Sequence, residues 1–479
     1  MKRTIEIFWL LSIITVPCCL TAQLISVKTV PLATGEQFHV FPSQNFGMAG
    51  VSIAVDDPLL DPFINPAKGA IHDGSHLIFA PVSYKISGNE SPSRTLPLTV
   101  IFNKNRWFFT SSISVQELNL GRDQNGNTAL VNKKLKNSYF YGSYGRRLGD
   151  GRTFLAGGLY WADLSGIDGV EHLYSDSRDI RQSGEILDFR LGFLKYFQNE
   201  NSFEALLIYN RSYMEHERDF LYPYYPWDDY YIWPTEYQTT EYDHTNTWGL
   251  QLGYVRPFVQ NPTWKLGFDF TVNYKSHPKI PNYDLMHIPR DPGNTWAYNL
   301  GIGLSRNTGK SVFGVDLIYE PIRSNTWAIA DEYIRTESGK MINKGNKTIN
   351  NHFNFSNAIV RIGFTAAPRD LGIQLGAQIH SIHYAFNQHN YVEEIQHKWK
   401  EDWLEWTVSW GLFYQFADYR LSYMGRLING TGWPGVDLEP IYRAEFNAYQ
   451  SDFIIAPAGH LTLDEEEIIL HQIVLSIPL

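Results

Sequence analysis

Eight charged side chains lie in stretches with the alternation of a β-strand, each on the face opposite the apolar residues. They are Asp188, Arg190, Lys265, Asp269, Asp316, Arg361, Arg420 and Arg426. Such groups on one face of a sheet could line a polar channel or bind the headgroup of a ligand. Alternatively, they pair with one another and with the chain that packs on them, because buried charges need partners. Both interpretations predict that these eight side chains face a polar interior.

No pattern of nucleophile, base or metal ligand indicates catalysis. The sequence has no Gly-x-Ser-x-Gly elbow, no His-Glu-x-x-His motif and no glycine-rich phosphate loop. His380 and His383 differ in strand parity, so they point to opposite faces of a sheet. His389 and His397 fall in a predicted loop, where a chance surface cluster is the better interpretation. We therefore expect a protein that is not an enzyme, with no cofactor and no metal site.

Long alternating strands are the main signal for the elements that position these charges. In Leu404–Phe416 every even residue is apolar, from Leu404 to Phe416, while the odd residues are mostly small or polar. Trp264–Tyr274 and the stretch from Leu187 to Phe193 repeat the pattern. Strands of about 10–14 residues are longer than the usual 5–6 and match a tilted strand that crosses a bilayer.

The spacing of turns predicts the topology. Short turns fall near residues 103–106, 148–152, 198–201, 260–262, 307–310, 366–370 and 417–419, and longer connections near 88–95, 119–137, 165–184, 217–244, 276–294, 323–352, 388–402 and 428–465. Alternation of short turns and long loops is typical of outer-membrane barrels. We predict an all-β fold: a transmembrane antiparallel β-barrel of the outer membrane with about 14–16 strands and a small N-terminal plug segment.

The composition agrees with a membrane barrel. Aromatic residues make up 15% of the 479 residues, and mean hydropathy is −0.28. Aromatic girdles at the two membrane interfaces account for such a content. The net charge of −10, with scattered basic residues, argues against a nucleic-acid partner.

The first 22 residues have the features of a secretory signal. Lys2 and Arg3 form a basic region, an apolar core follows, and cleavage is expected before Gln23. Both cysteines, Cys18 and Cys19, lie inside this signal. A lipoprotein signal acylated at a cysteine is the alternative, which Pro17 disfavours. We predict a signal peptide over 1–22, a plug or periplasmic-mouth segment over 23–74 and a transmembrane barrel over 75–479.

The stretch Asn45–Ala70 combines small residues, an Asp pair and three prolines, which exclude a long helix. Its run GMAGVSIAVDD, followed by Asn-Pro-Ala, resembles the N-terminal plug of the FadL-type outer-membrane transporters. A related pattern opens the PorV-like barrels of the type IX secretion system. Lys68 stands where a FadL-type plug usually has Gly. This resemblance implies plug or gate residues, which are Gly47, Gly50, Asp56, Asp57, Asn65, Pro66 and Ala67; the alternative is that they only form the turns of the plug.

The resemblance implies a bacterial outer-membrane location and passive transport of hydrophobic small molecules through a porin-like barrel. The alternative is a non-catalytic PorV-like docking component with secretion-system proteins as partners. The signal ending Leu-Thr-Ala-Gln is a Bacteroidetes-like feature. Outer-membrane lipid and lipopolysaccharide are expected to surround either kind of barrel.

An aromatic loop is the most distinctive predicted surface element. It runs FLYPYYPWDDYYIW over Phe220–Trp233. The expected ligand contacts are Tyr222, Tyr224, Tyr225, Trp227, Tyr230, Tyr231 and Trp233. Aromatic rings suit stacking on an apolar ligand. The alternative is packing on neighbouring loops or on lipopolysaccharide.

Overall fold

The computed structural model describes residues 24–25, 37–72, 74–87, 91–119, 134–149, 151–168, 177–222, 235–277, 293–330, 332–434 and 463–479. The predicted signal peptide lies outside this part of the chain. No helix among the described residues is long and apolar enough to cross a membrane.

Sixteen strands form the wall of the molecule. They are β1 (His76–Phe79 and Val82–Ile86), β2 (Ser93–Lys104), β3 (Trp107–Asn119), β4 (Lys134–Leu148), β5 (Thr153–Leu164), β6 (Ser177–Tyr196), β7 (Ser202–Tyr222), β8 (Thr235–Pro257), β9 (Trp264–His277), β10 (Gly293–Asn307), β11 (Ser311–Ile329), β12 (Lys347–Ala366), β13 (Leu371–Asn390), β14 (Ile395–Phe416), β15 (Tyr419–Pro434) and β16 (Leu463–Pro478).

Every strand pairs antiparallel with its neighbours in sequence, and β1 also pairs with β16 to close the barrel. The two pieces of β1 pair with the same two strands and flank Ala80-Pro81, so they count as one interrupted strand. Pro81 lacks the N–H that an unbroken ladder would need. The predicted closed antiparallel barrel is confirmed, at the upper end of the predicted strand number.

The predicted faces of the long strands are also confirmed. On β14, Leu404, Val408 and Leu412 are exposed on the outside, whereas Thr407 and Ser409 are buried inside. Exposed apolar side chains continue around the wall on β11, β12 and β13, for example at Leu317, Ile362 and Leu375. Apolar side chains in such a belt are favourable in contact with lipid hydrocarbon and unfavourable in contact with water. The belt therefore places the barrel in the bacterial outer membrane.

The seven predicted short turns join strands at one end of the barrel, and the opposite strand ends are those that the longer connections join in sequence. The predicted long loop over 388–402 was wrong, because β13 continues to Asn390 and β14 starts at Ile395. Strands also extend into both ends of the predicted loops 217–244 and 323–352. Residues 388–402 are mostly polar, so hydrophobic alternation stops there while the hydrogen-bonded ladder continues. Strand length therefore exceeds the prediction on this side, reaching 22 residues in β14 and 23 in β8, compared with 12 in β2.

Three short helical pieces lie before the barrel. They are the 3₁₀ turn Phe46–Met48, the helix α1 (Asp61–Ile64) and the 3₁₀ turn Pro66–Ala70. We call residues 37–72 the luminal segment, because they pack on side chains that face the inside of the wall. A two-stranded hairpin, Ile334–Arg335 with Met341–Ile342, lies in the connection between β11 and β12.

Candidate functional site in the barrel lumen

The buried carboxylate of Asp57 organises the first half of the luminal segment. It accepts five hydrogen bonds of 2.6–3.1 Å, all from groups within 14 residues along the chain. The donors are the Ser43 hydroxyl and the backbone N–H groups of Gln44, Asn45, Leu59 and Leu60. A carboxylate that satisfies so many N–H groups holds an irregular chain in one conformation. These contacts are those of a turn-forming residue, which is the role predicted for Asp57 as the alternative to a gate.

A row of inner-wall glycines receives the same half of the segment. They are Gly267 on β9, Gly303 on β10, Gly314 on β11, Gly363 on β12 and Gly376 on β13. A Cβ added at any of them would lie 2.4–2.7 Å from an atom of Met48, Val51 or Ile53, far inside van der Waals contact. The backbone of the segment therefore lies directly on the wall, in a groove that only glycine permits.

The second half of the segment rests on β3 to β6 and reaches Glu204 of β7. The Asn65 side chain accepts from the Ala67 N–H at 3.1 Å and donates to Glu204 Oε2 at 3.0 Å. A Cβ at Gly192 would lie 2.1 Å from Asn65 Oδ1 and 3.0 Å from Pro66 Cδ, so this contact also depends on a wall glycine. The predicted Asn-Pro-Ala motif is thus a docking point on the wall.

Arg190 binds the end of α1. Its guanidinium donates to the carbonyl oxygens of Phe63 at 3.1 Å and Ile64 at 3.0 Å. Its Nε lies 2.7 Å from Asp188 Oδ1, and Asn210 donates to the other oxygen of that carboxylate at 3.2 Å. A cation at the C-terminal end of a helix satisfies carbonyls that have no partner within the helix. This predicted lumen pair therefore holds the segment to the wall.

Lys68 forms a buried ion-pair centre between the segment and the wall. Its Nζ lies 3.4 Å from Asp61 Oδ2 and 3.3 Å from Glu204 Oε1, and all three side chains are at most 10% exposed. Burial raises the pKa of Asp61 to about 7, although the Lys68 charge opposes this rise. Burial lowers the pKa of Lys68, but the neighbouring carboxylates outweigh it and hold the pKa well above its usual value. Lys68, the departure from the FadL-type pattern, has this pairing role.

A second polar contact holds the middle of the segment. Asp316 accepts from the backbone N–H groups of Ser52 at 2.8 Å and Ile53 at 3.3 Å. Arg361 donates to the carbonyl oxygen of Gly50 at 3.3 Å and to Gln378 at 2.7 Å. Both wall residues were predicted to face the lumen, and both bind backbone atoms of the segment.

Between these contacts lies a small polar cavity of about 70 Å³. Its charged lining residues are Asp61, Lys68, Glu204, Asp269, Glu320 and Arg361, together with the amides of Gln251 and Asn299. Asn357 donates to Glu320 at 3.0 Å. This half of the lumen is thus filled with charged and amide side chains and leaves room for little more than water.

All eight predicted lumen charges lie on the inner face, but they do not form one site. Lys265 lies 3.6 Å from Asp56, at the edge of the segment. On β15, Arg420 lies over the Phe413 ring at 4.1 Å and Arg426 over the Phe46 ring at 4.2 Å. The two arginines on β15 are therefore separate from the ion-pair centre. Besides these cation–π contacts, Arg420 donates to the Ser422 hydroxyl at 3.4 Å and Arg426 to the Phe46 carbonyl oxygen at 3.5 Å.

The predicted gate residues lie in the two contact regions of the segment. Gly47 fits beside Gln374, where an added Cβ would lie 2.8 Å from Oε1. Gly50 has a φ of +77°, which disfavours a side chain there. Their role as a gate stays a prediction, as does the boundary of the plug at residue 74.

Sequence reasoning missed Glu204 and Glu320. The stretch around Glu204 reads Glu-Ala-Leu-Leu-Ile-Tyr, which is apolar on both faces. Alternation therefore did not show on which face of the strand Glu204 lies. Glu320 shares parity with Asp316, four residues earlier on the same strand. That spacing was a usable signal, because residues i, i+2 and i+4 of a strand point the same way.

Part of the inner wall nearer the long loops is apolar and aromatic. We call Phe353, Phe355, Tyr384, Phe386 and Trp403 the aromatic patch; they lie on the inner face of β12, β13 and β14. Phe353 stacks on Phe386 with ring centroids 4.6 Å apart, and Tyr384 stacks on Trp403 at 5.2 Å. No sequence signal identified this patch, because long strands with large aromatics on the inner face resemble strands facing lipid.

Two residues near the start of the chain, Leu24 and Ile25, lie inside the barrel. Ile25 packs in one cluster with the aromatic patch, and Leu24 packs on Leu206 and Ile208 of β7. Both come just after the predicted cleavage before Gln23. Apolar side chains that do not belong to the wall are therefore accommodated there.

The predicted contacts in the aromatic outer loop lie outside the described residues. This holds for Tyr224, Tyr225, Trp227, Tyr230, Tyr231 and Trp233, and for the side chain of Tyr222. Their role stays a prediction. Of the histidines, His380 points inward to Glu405, at 3.3 Å, and His383 points outward to Asp402, on opposite faces as predicted. Among the described residues no three His, Cys, Asp or Glu side chains are grouped to hold a metal ion.

Comparison with known proteins gives structural likenesses only. No protein-family model matches the sequence, and no curated protein does. A solved FadL homologue from Pseudomonas aeruginosa is 10% identical, with 91% of this chain and 98% of that chain covered and a TM-score of 0.43. The toluene transporter TodX from Pseudomonas putida is 11% identical, with coverage of 95% and 98% and a TM-score of 0.37.

A third similar structure is the FrpB iron transporter from Neisseria meningitidis, at 9% identity, coverage of 91% and 88%, and a TM-score of 0.35. The solved structures similar to this chain thus include a protein of the family that residues 45–70 resemble. Likenesses this distant do not identify a function.

Proposed function

We propose that this barrel passively transports hydrophobic small molecules across the outer membrane, without catalysis. The observation that carries the proposal is the aromatic patch, an apolar surface on the inner face of the wall. Ile25 already packs an apolar side chain against this patch. Stacked rings of this kind contribute about 0.5–1.5 kcal/mol per contact beyond the area they bury, so they suit a hydrophobic ligand.

The path of such a ligand follows from the two halves of the lumen. A ligand would enter from the long-loop end, displace Leu24 and Ile25, and rest on the aromatic patch. Below it, the luminal segment blocks the way, held by the Lys68 ion pairs and by Arg190. Displacement of that segment would open the path, and movement down a gradient needs no nucleotide.

The test is the binding of an apolar fluorescent probe, N-phenyl-1-naphthylamine, to the purified barrel. We expect Phe353→Ala with Phe386→Ala to weaken binding about tenfold or more, since both rings of a stacked pair are lost. Phe364→Ala is the matched control, because Phe364 lies on the lipid-facing side of the same strand. Equal binding by all three proteins would contradict the proposal.

Mass spectrometry of the protein purified from its own outer membrane identifies the ligand class. A stoichiometric fatty acid, sterol-like or aromatic compound supports transport. Stoichiometric partner proteins without a small molecule would instead favour the second candidate function.

That second candidate is a docking barrel for secretion-system proteins. It is favoured by the hairpin between β11 and β12, where Tyr333 is 70% and Met341 58% exposed. The hairpin is held in place by the turn between β13 and β14: Glu337 N–H donates to Val392 at 2.9 Å, and Lys340 pairs with Glu394 at 2.9 Å. Replacing both exposed apolar residues with Ser would release a docked partner but leave probe binding unchanged.

A further inference from the structure

A second cavity lies on the outside of the wall, where β6, β7 and β8 meet. It has a volume of about 210 Å³ and is lined by Glu185, Leu187, Arg211, Tyr213 and His244. Each of these residues shares strand parity with an exposed apolar residue: Phe189 on β6, Leu207 on β7 and Trp248 on β8. Alternation along a strand therefore places all five on the face that meets the membrane, not in the lumen.

The level of this cavity along the wall is given by the aromatic residues next to it. Tyr209 and Trp248 pack with ring centroids 4.5 Å apart, and Trp161 Nε1 donates to Glu185 at 3.1 Å. Arg211 follows Tyr209 by two residues in the direction of the long loops. Because aromatic girdles mark the membrane–water interface, the cavity lies at the depth of the outer-leaflet headgroups.

The lining has two kinds of polar group. The Arg211 guanidinium and the His244 imidazole suit a phosphate, which arginine can bind through two parallel N–H groups. The Glu185 carboxylate and the Tyr213 hydroxyl suit the hydroxyl groups of a sugar, and a carboxylate would repel a ligand that offered only negative charge. Leu187 adds an apolar wall on the side of the acyl chains.

Arg211 differs in one respect from the next arginine outward on this wall. Arg181 is bound by Asp219 at 2.8 Å, Glu217 at 3.2 Å and Asp179 at 3.4 Å. Arg211, in contrast, makes no ion pair with the described residues. Its charge is therefore available to a ligand at the membrane surface.

We propose that this cavity binds the headgroup of a phosphorylated glycolipid of the outer leaflet. The phosphate lies against Arg211 and His244, and the sugar hydroxyls lie against Glu185 and Tyr213. The site is separate from the lumen, so lipid binding there does not depend on the proposed transport function.

The test is native mass spectrometry of the full barrel after exchange into detergent containing bisphosphorylated lipid A. We expect wild-type protein to retain lipid A and Arg211→Met to lose it about tenfold or more, since the phosphate contact is removed. Arg181→Met is the matched control and should retain it, because that guanidinium is already bound by three carboxylates. Heat-modifiable migration on gels checks that each barrel is folded.

Two further lipids test the phosphate contact and the sugar contact separately. Dephosphorylated lipid A should bind about tenfold more weakly if Arg211 holds a phosphate. Phosphatidylglycerol, which has a phosphate but no sugar, should also bind more weakly. Equal retention by Arg211→Met, or equal binding of phosphatidylglycerol and lipid A, would overturn the proposal.

Discussion

The two halves of the lumen use the same strands for opposite purposes. On β12, Arg361 binds the luminal segment in the half near the short turns, and Phe353 stacks on Phe386 in the half near the long loops. The first half is filled by ion pairs and by backbone lying on glycine. The second contains the aromatic patch, an apolar surface on which Ile25 rests.

The contacts in the two halves differ in how costly they are to break. A buried charge pair is costly to break because each partner is left without compensation, whereas an apolar contact can be exchanged for another apolar group at little cost. The ion-pair contacts are therefore suited to hold a chain in place, and the aromatic patch is suited to accept different occupants. Three changes would test this contrast, and their readout is the accessibility of the luminal segment to chymotrypsin.

The largest effect is expected from Lys68→Met. Loss of the cation leaves Asp61 and Glu204 buried without their partner, which should destabilise the seated segment by about 3–5 kcal/mol. The measurement is the urea dependence of cleavage in the segment, with heat-modifiable migration as the check on the barrel. Adding Glu204→Gln should restore part of the loss. Lys340→Met removes an exposed ion pair and should change the result by only about 0–1 kcal/mol.

A smaller effect is expected from Gly376→Leu. Its Cβ would lie 2.4 Å from the Met48 carbonyl carbon and 2.5 Å from the Ala49 nitrogen, which are backbone atoms that cannot move aside freely. Overpacking of this kind costs about 1–3 kcal/mol or more, so cleavage after Phe46 should increase about tenfold or more. Gly157→Leu is the control, because the nearest atom to its added Cβ is 4.0 Å away. Unchanged protection in Gly376→Leu would show that the groove does not seat the segment.

The smallest effect is a dependence on pH. The pKa of Asp61 is about 7 in the seated segment, compared with an ordinary value of 3.8. The seated state thus holds an extra proton between these values, and its stability falls as the pH rises towards 7. The release equilibrium should increase about tenfold between about pH 6 and about pH 8, and become level above that. Asp61→Asn should remove this dependence; a steep slope in that variant would assign it to another group.

Much of the wall could be predicted from the sequence because strand parity is a local property. Asp188, Asp269 and Arg361 were assigned to the lumen by the apolar residues on either side of them, and all three lie inside. The short turns were found for the same reason, since Gly, Pro and Asn act within a few residues.

The partners of these charges could not be predicted. Arg190 binds the carbonyl of Phe63, 127 residues earlier in the chain, and no local pattern encodes such a contact. The aromatic patch was missed because large rings occur both on lipid-facing strands and on an apolar lumen wall. The outer ends of β13 and β14 were missed because their ladder continues where the hydrophobic alternation has ended.

The pairing of β1 with β16 has a consequence for how the protein is assembled. The cylinder cannot close until its last residues, up to Pro478, reach the first strand. The luminal segment precedes that first strand and lies within the finished wall, so a segment that is ordered early can be enclosed as the seam forms. The Asp57 contacts span at most 14 residues and can form early, before any distant strand arrives. The loop around Asp57 would then be ordered first, and the strands that carry the wall glycines would pack against it one after another.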